Sequence, residues 1–148
     1  MCPPSALAKA VTSETALRLV ANGLLDLDEP ISAHYVHPDI ADDPRHELLT
    51  PRLILTHKTG FLNWPYNYED GKLAFLHDPG EAYGYSGAGF MVLAHFLQNK
   101  IGKPFPEIVR EQVFDPIGMT DASIIQEAWM ENRVARPLLD DGVSDPAF

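Results

Sequence analysis

Cysteine is nearly missing from this chain. Cys2 stands alone among 148 residues, so it can form neither an internal disulfide nor a thiolate metal cluster, and the cellular compartment is left open. Basic residues are scarce as well. Eleven Lys and Arg face 21 Asp and Glu, for a formal net charge of −10 and a pI near 4.8. That excess of acid argues against nucleic acid or an anionic membrane as a partner. No stretch approaches the ~18 uninterrupted apolar residues of a membrane helix. The N-terminal MCPPSALAKAV has no basic leader running into an apolar core, so no signal peptide is visible and localisation is unassigned. Strand-like alternation is nearly absent, as are internal repeats, low-complexity tracts and any Gly-rich phosphate loop following a strand.

What is present is a set of helical patterns punctuated by 13 prolines. The spacing predicts a helix over about 6–22, with Ser5 as a candidate N-cap, Gly23 as the C′ residue and Glu14 with Arg18 as an i,i+4 pair. At about 100° per residue, Lys9 shares an arc with Ala6, Ala10, Ser13, Ala16, Leu17 and Val20. A lysine on such a packable face is an odd choice for mere solvation. Residues 23–49 are acidic and proline-rich and read as an irregular connection, with Asp26, Asp28 and Glu29 as solvated loop charges. Thr50-Pro51 supplies an N-cap and a proline at N1 for a short helix that stops by Gly60. An aromatic loop follows over 61–85. A buried helix is expected from about Gly87 to Asn99, another over 104–114, and a short last one over about 124–132. The expected fold class is mostly α, one domain over 1–148, with its helical core at 50–132 and a loop-like tail at 133–148.

Tyr85 sits where the aromatic loop becomes a buried helix. It can either pack its ring or offer its hydroxyl to a cleft, where a neighbouring ammonium would favour the phenolate. Ser5 and Lys9 pose a similar alternative. On an ideal helix they stand only about 40° apart around the axis, so the serine can approach the ammonium as a nucleophile, or turn its hydroxyl to the first-turn amides as a cap. Gly84 to Ala88 approximates the G-x-S-x-G nucleophile elbow, although PGEAY makes a poor preceding strand. His34 and His37 form an HxxH pair in a loop with no obvious third ligand, which reads as surface histidine rather than zinc.

Four collinear segments carry a resemblance: LAKAVTSETALRLVANGLLDLDEPI, DIADDPRHELLTPRLILTHKTGF, DPGEAYGYSGAGF and GKPFPEIVREQVFDPIGMTDAS. Together they resemble the serine β-lactamase-like superfamily, which includes class C β-lactamases, penicillin-binding DD-peptidases and related esterases. The resemblance implies the helical region of the β-lactamase/transpeptidase-like fold, with most or all of the α/β sheet missing from this chain. It implies acyl transfer on an amide, β-lactam or ester, with a small-molecule acyl substrate and neither metal nor organic cofactor.

Position by position, Lys9 matches the lysine of the SxxK element, which keeps the nucleophilic serine deprotonated. Tyr85 matches the tyrosine that works with that lysine as general base and then as proton donor to the leaving group. Gly87 occupies the substrate-binding third place of the Tyr-Ser/Ala-Asn element, where asparagine is more usual. His57 matches the chiefly structural histidine of the LTH-x-x-G segment. Strict register puts Ala6, not Ser5, at the nucleophile position. The letters KTG at 58–60 fall in that LTH-x-x-G segment rather than on the family's KTG strand. The alternative is a truncated or degenerate non-catalytic relative that binds a ligand or partner. A helical layer without its sheet is expected to expose an apolar face suited to a homodimer or a partner chain.

Overall fold

The computed structural model describes residues 6–133 and 138–143. Among them no strand element occurs, and the architecture is helical. Helix α1 spans Ala6–Ala21. It buries Thr12, Thr15, Ala16 and Leu19, a face that mixes apolar and hydroxylated side chains. The threonines tolerate burial because Thr12 Oγ1 donates to the Ala8 carbonyl and Thr15 Oγ1 to that of Val11, each at 2.8 Å. Arg18 Nε meets Glu14 Oε1 at 2.6 Å on the outer face.

Helix α2 covers Pro51–Leu55, with Thr50 accepting a hydrogen bond from the Leu53 N–H. Helix α3, Gly87–Ile101, is the centre of the molecule. Val92, Leu93, Phe96 and Leu97 are all buried along it. Ser86 caps its start by accepting from Gly89 N, and Gly102, left-handed at φ 76°, ends it as Gly23 ends α1 at φ 73°. The main core gathers α3 with Ala16 and Leu19 of α1, Ile54 of α2, and Leu25, Ile31, Ile40, Leu49, Phe61, Leu73 and Phe75 from the connections.

The predicted 104–114 helix is divided. Helix α4 runs over Phe105–Val109 and continues as a wider π-type turn over Arg110–Phe114. Val109, Val113 and Phe114 form a second small core with Val11 of α1. The expected last helix over 124–132 is corrected to one 3₁₀ turn, Ala128–Met130. Its residues are mostly exposed, Ile125 and Trp129 included, so there is no buried stripe to hold a longer helix. None of the described helices is long and apolar enough to cross a membrane.

The connection over 23–49 contains only 3₁₀ turns, at Ile31–Ala33, Pro38–Ile40 and Pro44–Leu48. Its carboxylates are not all merely solvated. Asp28 pairs with Arg52 at 2.7 Å, Glu29 with Lys100 at 2.7 Å, and Asp43 with Arg45 at 2.7 Å. His34 sets its ring edge-on to Phe96, and His37 Nδ1 accepts from Asp39 N. Each histidine therefore has a packing or capping role.

Candidate functional site

The site forms where the first turns of α1 meet the start of α3. Four hydrogen bonds fix that junction. Ser86 Oγ donates to the Leu62 carbonyl at 2.9 Å and accepts from Gly89 N at 3.1 Å. Gly87 N donates to Asn63 Oδ1 and Ala88 N to the Asn63 carbonyl, both at 2.8 Å. The free N–H groups expected at a helix start are thus taken up by the 62–63 loop and the cap. Leu62 N in turn donates to the Tyr68 hydroxyl at 2.7 Å, which donates onward to the Ala74 carbonyl.

These ties overturn the nucleophile-elbow reading of Gly84 to Ala88. Ser86 is only 1% exposed and its hydroxyl is committed on both sides, so it is a cap and not a nucleophile. The KTG letters lie in the turn after α2. Thr59 is buried there and accepts from Phe61 N, with no substrate-facing strand.

His57 stands beside this junction at φ 56°. Its Nδ1 accepts from Ser86 N at 3.1 Å, and its carbonyl accepts from Gly84 N at 2.8 Å. An accepting Nδ1 places the proton of the neutral ring on Nε2. Desolvation, with the Lys9 charge behind it, holds the His57 pKa below the ordinary imidazole range. The ring stacks at a tilt on Tyr85, 4.6 Å between centroids. His57 therefore fixes the backbone on either side of Tyr85 and also its ring.

Lys9 and Tyr85 are brought together. The Lys9 ammonium lies 4.7 Å from the Tyr85 ring centroid, 5.8 Å from Phe90 and 5.9 Å from Trp64. The ammonium is flanked by these three aromatic rings. Tyr85 is 42% exposed. Tyr85 also helps to line a hollow of about 600 Å³, with Asn63, Asn67, His77 and Tyr83. Ser5 lies outside the described residues. Ala6, in strict register with Lys9, is exposed in the first turn of α1.

The beta-lactamase family model matches residues 6–145. The chain belongs to the beta-lactamase family. Among its relatives, the D-alanyl-D-alanine-carboxypeptidase/endopeptidase AmpH of Escherichia coli is 28% identical over 80% of this chain and 35% of its own. Lovastatin esterase of Penicillium rubens is 28% identical over 93% of this chain and 42% of its own. The solved D-amino acid amidase of Ochrobactrum anthropi superposes with a TM-score of 0.75 at 21% identity, over 97% of this chain and 47% of the amidase. The chain therefore spans less than half the length of each of these proteins.

Family membership sharpens the meaning of Gly87. A Cβ built there would lie 2.3 Å from Trp64 Cζ2 and 2.5 Å from Cη2, so the indole already fills the side-chain space. Trp64, Asn63 and Phe90 are the members of this cluster that sequence reasoning did not single out. Trp64 was visible only as one of many aromatics in the 61–85 loop. A glycine in the element's third place is the one sign that something else covers it.

Proposed function

We propose that this chain carries an acyl-transfer site of the serine-hydrolase type. Ser5 is the nucleophile, Lys9 and Tyr85 are the proton-transfer pair, and Gly87 belongs to the substrate-binding wall. The observation that carries this reading is the convergence of Lys9, from the first turns of α1, and Tyr85, from just before α3, beside an open hollow. The Ser5 Oγ attacks the carbonyl carbon of an ester, amide or β-lactam while the Lys9–Tyr85 pair takes up its proton. The pair returns that proton to the leaving oxygen or nitrogen, and water then releases the acyl group. Relatives named as a DD-carboxypeptidase and an esterase support this class of bond.

A nitrophenyl butyrate assay with intact mass analysis tests it, alongside a chromogenic β-lactam. Turnover and an acyl adduct are expected, with the adduct lost in Ser5→Ala and the rate reduced roughly 10²–10⁴-fold in Tyr85→Phe. Ala6 in the register position favours a second reading, a non-catalytic relative that binds its ligand or a partner chain. Its outcome is ligand binding with neither turnover nor adduct.

A further inference from the structure

The pairing of Trp64 with Gly87 has a chemical consequence. Gly87 has no positive φ, so no backbone strain demands a glycine there. What demands it is space: Trp64 Cζ2, Cη2 and Cε2 would stand 2.3, 2.5 and 2.8 Å from any Cβ. The loop that delivers the indole is tied to the helix start by Asn63, whose Oδ1 and carbonyl receive Gly87 N and Ala88 N. Trp64 N itself donates to Asn67 Oδ1 at 2.9 Å, which fixes the backbone at the tryptophan. Tyr66 stacks behind the ring, 6.4 Å away at an interplanar angle of 20°. The Lys9 ammonium lies 5.9 Å from the Trp64 ring centroid.

We propose that Trp64 is a specificity-determining residue: its indole replaces a side chain at position 87 and gives the wall beside Lys9 and Tyr85 an aromatic face that selects apolar acyl groups over acylamino ones. A side-chain amide at position 87 would offer both a donor and an acceptor to the amide of an acylamino group. The ring carbons that fill this space offer neither. An acylamino group set against them gives up water without a new partner, which is penalised. An alkyl or aryl acyl chain instead buries area against a flat, partly exposed ring. As a preference among acyl donors the inference rests on the acyl-transfer reading, whereas the filling of position 87 by Trp64, and the binding preference it sets, are independent of it.

The experiment has a structural arm and a ligand arm. In a Trp129→Phe background, which leaves Trp64 as the sole tryptophan, Gly87→Ala is expected to red-shift the emission as the ring is pushed into water. Thermal unfolding in a double-mutant cycle reads the same pair. Gly87→Ala lowers the melting temperature by about 4 °C or more with Trp64 present, and leaves it unchanged or raised with Trp64→Ala. An equal response in both backgrounds overturns the placement.

For specificity, nitrophenyl butyrate is compared with an acylamino cephalosporin, and by calorimetry 4-phenylbutyrate with N-acetyl-D-alanine. The ratio favouring the apolar ligand falls about tenfold or more in Trp64→Ala/Gly87→Asn. A folded double variant with an unchanged ratio overturns the inference. Binding preference without turnover in any variant defeats the acyl-transfer reading and leaves this one standing. No binding of either ligand to the parent protein defeats this one.

Discussion

Two irregular connections run through this molecule, and they are held by different forces. The segment 23–49 is fastened by charge, through Asp28 to Arg52, Glu29 to Lys100 and Asp43 to Arg45. The segment from His57 to Ser86 is fastened by hydrogen bonds and rings, through Ser86, Asn63, Tyr68 and His57. The first set runs from the part-buried Glu29–Lys100 pair to the exposed Asp28–Arg52 pair, and the ion pairs that face water contribute little and weaken with salt. The second closes around a buried hydroxyl, where a lost partner leaves polar groups stranded away from water. Fixed geometry is what a chemical site needs, and Lys9 and Tyr85 meet in the second region.

The largest expected effect comes from cutting the knot of the second region. Ser86→Ala removes a hydroxyl that both caps α3 and accounts for the Leu62 carbonyl. Loss of the cap alone costs about 1 kcal/mol, and the stranded buried groups raise the total to roughly 2–3 kcal/mol. Urea unfolding measures it. A loss under about 0.5 kcal/mol would mean that the loop and helix are held by something other than this serine.

Pairing rules of short range were legible in the sequence. Thr50-Pro51 at the start of α2, Glu14 with Arg18, and Gly23 as a helix end all obey local stereochemistry, and the structure bears each one out. The family register made Lys9 and Tyr85 visible for the same reason, since each sits in a short recognisable stretch. What stayed hidden depends on tertiary approach. No spacing rule places Trp64 over Gly87, or gathers the Lys9 ammonium among the rings of Tyr85, Phe90 and Trp64. Ser86 misled in the opposite direction, because G-x-S-x-G describes letters whereas an elbow requires a strand in front of it. The apolar repeat near 124–132 lacked a surface to pack on, and only a turn formed.

An intermediate effect should appear with pH in the second region. Neutral His57 accepts the Ser86 N–H through Nδ1, and a protonated ring has no lone pair there to do so. Burial first, and the Lys9 charge second, depress its folded pKa. His95 is depressed too, by burial and then by His37. In the unfolded chain both titrate near ~6.5. Below that value the unfolded state takes up more protons than the native one, so stability falls as pH drops toward the folded pKa values. It is fully present above ~6.5. Melting temperatures from pH 8 to 5 should decline over this window, and His57→Asn should shallow the decline, with asparagine tolerating the left-handed backbone at φ 56°. An identical slope in His57→Asn would remove His57 from the account.

The smallest effect belongs to the first region. Asp28 and Arg52 form a well-aligned pair, Nε to Oδ1 at 2.7 Å and Nη2 to Oδ2 at 2.8 Å. The hydrogen bond from Arg52 lowers the Asp28 pKa, so whatever the pair contributes is present above ~4 and lost in acid. Yet the two side chains are 54% and 61% exposed. Water and salt compete for both, and holding two long side chains in register costs conformational entropy. Asp28→Asn should therefore leave the urea midpoint unchanged at physiological salt, with a small decrease emerging only at low ionic strength. A decrease as large as that of Ser86→Ala, insensitive to salt, would erase the distinction between the charge-fastened and the hydrogen-bonded connection.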